Sequence, residues 1–182
     1  VKNVHYGDIH TKFSTHFDIT RDTVPFVNVD KDIEKIDTDN YCLEGDMIFA
    51  DASEDLKDVG KSIEIVNLNN ERLLSGMHTI LARQKEPKLI IGFAGHLFLS
   101  NAIRIQIQKE AQGAKVLGIS GSRLSNVKIC YPINKKEQKK IVECLSSLDV
   151  SIAEQNQKVG SLKAHKKGLM QQLFPNVNEI EA

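Results

Sequence analysis

The strongest pattern in the chain is a heptad. Ile141, Leu145, Leu148, Ile152, Gln155, Val159, Leu162, Lys166, Leu169 and Leu173 follow one another at spacings of four and three residues. Eight of these ten positions are apolar. The pattern predicts one helix over residues 135–174, roughly 60 Å long at 1.5 Å per residue. Sustained over more than four heptads, such a seam argues for a coiled coil that needs a partner helix. Its start is marked by Tyr131-Pro132-Ile133-Asn134. Pro132 disfavours helix in the residue before it. Asn134 is a good N-cap, and Glu137 follows three positions later as in a capping box. Gln155 and Lys166 interrupt the seam, Gly160 weakens it by about 1 kcal/mol, and Pro175 ends it.

Ahead of that helix the texture is mixed. Asp46–Asp51 (DMIFAD), Ser62–Val66 (SIEIV), Met77–Arg83 (MHTILAR) and Val127–Tyr131 (VKICY) read as strands, the second with clean alternation. Leu89–Ser100 is apolar with small residues and suits a buried helix. Asn101–Gln112 carries Ile103, Ile105 and Ile107 at alternate positions, which is strand-like, among helix-forming neighbours; it is assigned to helix. Gly113, Gly118 and Gly121 punctuate a loop and a short strand. Elements in this order predict an α+β fold: a mixed globular domain over 1–132, one long C-terminal coiled-coil helix over 135–174, and a tail over 175–182. The chain begins at Val1-Lys2-Asn3-Val4, inside a strand-like run and without an initiator Met, so it reads as a fragment.

Composition narrows the function. With 24 Lys+Arg and 24 Asp+Glu the formal net charge is zero, which excludes a simple polybasic nucleic-acid coat. The charge is unevenly placed, at −8 over residues 1–60, +6 over 61–130 and +2 over 131–182. A basic middle segment can bind a polyanion even in a neutral chain; equally, the two halves can neutralise each other within one fold. The longest apolar run, Leu89–Leu99, is too short to span a bilayer. Three cysteines without paired spacing, Cys42, Cys130 and Cys144, argue for a reducing, cytoplasmic setting.

Catalytic signatures are weak. Gly60-Lys61-Ser62 resembles the end of a phosphate loop, but Asp55 stands where its first glycine belongs, and a strand follows where a helix is needed. Gly118-Ile119-Ser120-Gly121 lacks the final glycine of a nucleophile elbow. His5, Asp8, His10 and His16 fit no strong metal-ligand spacing. The acidic run Asp51-Ala52-Ser53-Glu54-Asp55 reads as a solvated turn. The residues point to a binding and assembly protein.

Several segments resemble one family. Gly45–Ile65 (GDMIFADASEDLKDVGKSIEI), Ser75-Gly76-Met77-His78-Thr79, Ala111–Ser120 (AQGAKVLGIS) and the following Arg123-Leu124 are similar to the target recognition domain of type I restriction-modification specificity subunits. The tail is the most diagnostic part: Glu137-Gln138-Lys139-Lys140-Ile141, then Leu148-Asp149, then Leu162 to Pro175 (LKAHKKGLMQQLFP) resemble that family's spacer helix. The resemblance spans roughly residues 4–175. It implies a non-catalytic subunit that reads one half of a bipartite site in double-stranded DNA and scaffolds the methyltransferase (modification) subunits, alongside the restriction subunit. S-adenosylmethionine would belong to the methyltransferase, leaving no cofactor in this chain. A full subunit holds two recognition domains and two antiparallel helices; this chain resembles half of one. The resemblance suggests DNA contacts from Ser53, Lys57, Lys61, His78, Thr79, Lys115, Ser122 and Arg123. It also suggests a homodimer through Ile141, Leu145, Leu148, Ile152, Val159, Leu162, Leu169 and Leu173. Two other readings compete: a metal-dependent nuclease using the acidic clusters of 1–60, and a coiled-coil adaptor without a DNA role.

Overall fold

A computed structural model describes residues 1–27 and 36–174. The predicted tail 175–182 and the stop at Pro175 lie outside them. The described residues form an α+β structure. Strand β1 (Lys2–Val4) leads into helix α1 (Tyr6–Thr11) and β2 (His16–Asp18). Strands β3 (Met47–Ala50), β4 (Ala52–Ser53), β5 (Ser62–Asn67), β6 (Leu73–Ser75) and β7 (Thr79–Ala82) follow. Helices α2 (Phe93–Leu99) and α3 (Asn101–Glu110), strand β8 (Leu117–Gly118), the one-turn α4 (Gly121–Leu124) and the long α5 (Lys135–Leu173) complete the order.

The main sheet has the order β2-β5-β3-β7. Its β2–β5 pair is parallel and the other pairs are antiparallel, with Met47 opposite Glu64 on one side and Ala82 on the other. Two small ladders flank it, β1 parallel to β6 and β4 antiparallel to β8. Both faces of the sheet are covered. Ile48, Ala50, Ile63 and Ile65 pack with Ile9, Phe13 and Phe17. Met47 and Phe49 point the other way, toward Phe93, Ile103, Ile107 and Ile119. Strand β3 is therefore buried along its whole length, as its unbroken Met-Ile-Phe-Ala run requires.

Glu64 breaks the apolar rule. It lies on the α2 side of β5 and is fully buried. Its carboxylate accepts the Gly92 N–H at 2.7 Å and the Gly95 N–H at 2.6 Å. These are two of the donors that the first turn of α2 cannot satisfy within the helix, so Glu64 fastens α2 to the sheet. Burial nonetheless pushes the Glu64 carboxyl up to about 7, against those two backbone bonds that lower it. A second buried polar anchor is Asp46, which accepts the Leu43 N–H and a forked pair of bonds from Arg83 at 2.9 and 2.7 Å. That pairing holds the Arg83 guanidinium above its ordinary range.

Several predicted elements shift. Val127–Tyr131 forms no strand. There the Gln106 amide stands in for a neighbouring strand, accepting the Lys128 N–H at 2.9 Å and donating to its carbonyl at 3.0 Å. The alternating isoleucines of Asn101–Gln112 do lie on a helix. Ile103 and Ile107, four apart, point inward while Ile105 is exposed.

The chain divides into two compact units, Val1–Val142 and Glu143–Ala182. Within the first, α5 starts as its cap predicts, with Asn134 Oδ1 accepting the Lys136 N–H at 2.9 Å. Gln138 is fully buried and holds this turn in place. It donates to the Lys88 and Pro132 carbonyls and accepts from the Ile90 N–H. Ile141 and Val142 pack on the α2–α3 core. Ile141, the first position of the predicted seam, is thus partly buried within the globular unit. In the second unit the rest of the seam is exposed, namely Leu145, Leu148, Ile152, Val159, Leu162, Leu169 and Leu173, from 37% to 70% accessible.

Candidate nucleic-acid interface

Polar side chains converge where β3 leaves the sheet. The turn between β6 and β7 is tightly determined. Gly76 donates its N–H to the Val4 carbonyl at 2.8 Å, and a Cβ at this position would lie 2.3 Å from that oxygen. Thr79 Oγ1 donates to the Gly76 carbonyl at 2.6 Å and lies 2.6 Å from Ser75 Oγ. Between them His78 adopts a left-handed backbone, φ 57°, which few residues other than glycine tolerate and histidine tolerates better than most. The His78 ring is exposed. Its Nδ1 lies 3.4 Å from Asp51 Oδ1, and it meets the Tyr6 ring in a T-shaped contact at 5.4 Å between centroids. Tyr6 also meets His10 at 6.0 Å, and His10 Nε2 bonds to the Ala52 carbonyl at 2.9 Å. Two buried polar atoms of this cluster, His10 Nδ1 and Asp51 Oδ1, make no hydrogen bond.

A second turn joins β4 to β5. Ser53 Oγ accepts the Asp55 N–H, and Asp55 Oδ1 accepts the Lys57 N–H. Arg104 of α3 donates to the carbonyls of Lys57, Val59 and Gly60 at 2.7–2.8 Å. Burial lowers the pKa of that guanidinium, with nearby Asp58 opposing. Gly60, at φ 62°, lets the turn close, since a Cβ there would meet Ile107 Cγ2 at 2.5 Å. Lys57 is exposed at the tip of this turn, and Lys115 is exposed ahead of β8.

The sequence-predicted DNA contacts therefore divide. Lys57, Lys115 and His78 are exposed. Lys61 donates to the His10 carbonyl at 2.8 Å, Thr79 is bound into its turn, and Ser122 Oγ lies 2.9 Å from Ser120 Oγ. Arg123 is turned onto the Glu110 carbonyl and carboxylate. Ser53 is only 8% accessible, and its hydroxyl oxygen accepts a bond within its own turn. Tyr6, His10 and Asp51 join His78 without any local motif to announce them, because β1–α1 and β3 are far apart in sequence. The four residues His5, Asp8, His10 and His16 do not converge as a ligand set, since Asp8 pairs with Lys12 at 2.7 Å and His16 bonds the Gly92 carbonyl.

Exposed donors and acceptors thus sit on short turns of an α+β domain, one turn held by Gly76 and Thr79 and the other by Arg104. The family described as "Type I restriction modification DNA specificity domain" matches residues 11–163. The chain belongs to that family, whose role is DNA specificity and which is non-catalytic. Among solved structures, the S subunit of a type I restriction-modification system from M. genitalium is similar at 20% identity and a TM-score of 0.46. The match covers 75% of this chain and 35% of that one, so this chain spans about a third of that subunit's length. A search of curated proteins finds no match. Among the described residues no helix is long and apolar enough to cross a membrane.

Proposed function

We propose that the chain reads one half of a bipartite site in double-stranded DNA and scaffolds the methyltransferase subunits of a type I restriction-modification complex. The restriction subunit is a further partner, S-adenosylmethionine binds in the methyltransferase, and the setting is the cytoplasm. The observation that carries this reading is membership of the DNA specificity family, supported by the exposed polar turns at the β3 end of the sheet. Lys57 and Lys115 meet phosphates and set affinity, while the His78 turn is placed to meet base edges. The exposed seam Leu145–Leu173 supports self-pairing, because seven apolar side chains along one helix would otherwise form a long solvated stripe. In an antiparallel pair the two-fold axis passes near Val159, the centre of that stretch, and two recognition domains lie at opposite ends. No observation favours the nuclease or adaptor readings.

The test is DNA binding by the chain assembled with its modification subunits. Raising salt should weaken binding steeply, because neutralised phosphates release counterions. Changing Lys57 and Lys115 to Ala should lower the salt slope by about one each and weaken binding similarly across sequences. Salt-independent binding that both variants leave unchanged overturns the assignment of this face.

A further inference from the structure

The geometry points to His78 as a specificity-determining residue that reads a single base as an acceptor, with Asp51 as its positioning residue and Tyr6 as its brace. Its ligand is the exocyclic amino group of adenine or cytosine. This assignment rests on the DNA-reading function proposed above and adds to it a residue, an atom and a base class.

Three observations meet here. First, the His78 backbone is held in the left-handed region by a turn with little freedom. Gly76 cannot carry a side chain against the Val4 carbonyl, and Thr79 closes the turn through its hydroxyl. A side chain on such a turn projects at a fixed angle, which lowers the ordering cost of binding. Non-glycine residues persist in this conformation where the surroundings over-determine it, and such positions cluster at functional sites. Second, the ring is fixed on two sides. Tyr6 meets it in a T-shaped contact, and the Asp51 carboxylate faces Nδ1 at 3.4 Å. A negative charge beside Nδ1 favours the tautomer with its proton there. In the neutral ring Nε2 then carries the lone pair. Among the described residues no hydrogen bond reaches Nε2, and the side chain is 54% accessible. Third, Asp51 Oδ1 is buried without a hydrogen bond. Its 3.4 Å contact with His78 Nδ1 is therefore electrostatic rather than a hydrogen bond, and the carboxylate orients the imidazole by its charge.

An acceptor on a DNA-reading surface is selective. Phosphate oxygens are acceptors too and repel it, whereas in the major groove adenine N6 and cytosine N4 present donors that guanine O6 and thymine O4 do not. A His78 oriented in this way adds discrimination at one position and nothing to general affinity.

The experiment is competition binding by the full chain assembled with its modification subunits. The competitors are duplexes in which each half-site base pair is replaced in turn. His78→Asn keeps a residue that tolerates the left-handed turn while shortening the side chain. It should flatten discrimination at one adenine or cytosine position by roughly fivefold, the low end for a good base contact, with the salt slope unchanged. Asp51→Ala should reproduce that loss at the same position. Asp51→Asn, which keeps an acceptor oxygen beside Nδ1, should restore part of it; a loss confined to one base position is an outcome that a purely structural Asp51 would not give. Wild-type discrimination in both His78→Asn and Asp51→Ala overturns the assignment. So does a uniform loss across all duplexes with a salt slope reduced by about one, which marks a phosphate contact. A wild-type complex without any sequence preference overturns the DNA-reading function itself, and this assignment with it.

Discussion

Glu64 gives the fold its sharpest pH signature. Its carboxyl is fully buried between β5 and α2, where it caps two backbone N–H groups. Folding raises it from an ordinary 4.5 to about 7. Between those values the folded chain holds a proton that the unfolded chain has lost, so stability falls as pH rises. The contribution is fully present below about 4.5 and is lost as pH rises through about 7. At 1.36 kcal/mol per pH unit it amounts to about 3 kcal/mol. Glu64→Gln removes the titration and keeps one acceptor, at a pH-independent cost for the second N–H of about 1–3 kcal/mol. The two proteins should therefore be compared by urea unfolding at pH 5 and at pH 8.5. The chain has three tyrosines and no tryptophan. Tyr6, Tyr41 and Tyr131 all lie in the Val1–Val142 unit, so tyrosine emission reports on the domain that contains Glu64. The advantage of the wild type over Glu64→Gln should shrink by about 2.5 kcal/mol between the two pH values. Parallel stability curves would falsify a carboxyl that holds its proton more tightly in the folded chain than in the unfolded one.

Two further outcomes follow from the same contacts. Arg83→Ala should destabilise the Val1–Val142 unit by roughly 3 kcal/mol in the same unfolding assay, because it strands the buried Asp46 carboxylate; a loss below about 0.5 kcal/mol, the size expected of a surface change, would contradict a buried pair. Changing Leu148 and Leu162 to Asp should convert a dimer to monomer by light scattering, since pairing would bury both charges; a wild-type chain that stays monomeric at tens of micromolar would refute self-pairing.

The α5 helix was legible because its signals are local. A seam of ten positions, a cap at Asn134 and a proline ahead of it are all read within one stretch of chain. The strands β3, β5 and β7 were legible for the same reason, though alternation in Ser62–Val66 concealed that both faces are covered. Glu64 looks like an outward polar residue until α2 is placed over it. Val127–Tyr131 failed for the opposite reason: its residues suit a strand, but Gln106 supplies the backbone partners instead. Ile141 fits the heptad and yet belongs to the α2–α3 core, because the first turns of α5 lie on the globular unit. At the candidate interface, the sequence named His78, Lys57 and Lys115 as candidates, whereas the grouping of Tyr6, His10 and Asp51 around His78 depends on long-range packing. The low exposure of Ser53 was not legible either, because a serine in an acidic turn serves its own backbone as readily as a ligand.

On the function proposed above, this chain specifies DNA sequence for a methyltransferase. The most direct measurement is sequencing of methylated sites in cells that express the chain together with type I modification subunits. The account predicts a split motif with two inverted copies of one half-site around a fixed gap, since the same domain reads both ends of a two-fold pair. Removing seven residues from within 146–172 of α5 should shorten that gap by about three base pairs, at 1.5 Å per helical residue and 3.4 Å per base pair, and leave the half-sites unchanged. A motif whose sequence does not depend on this chain, or one whose gap ignores the deletion while methylation persists, would contradict it.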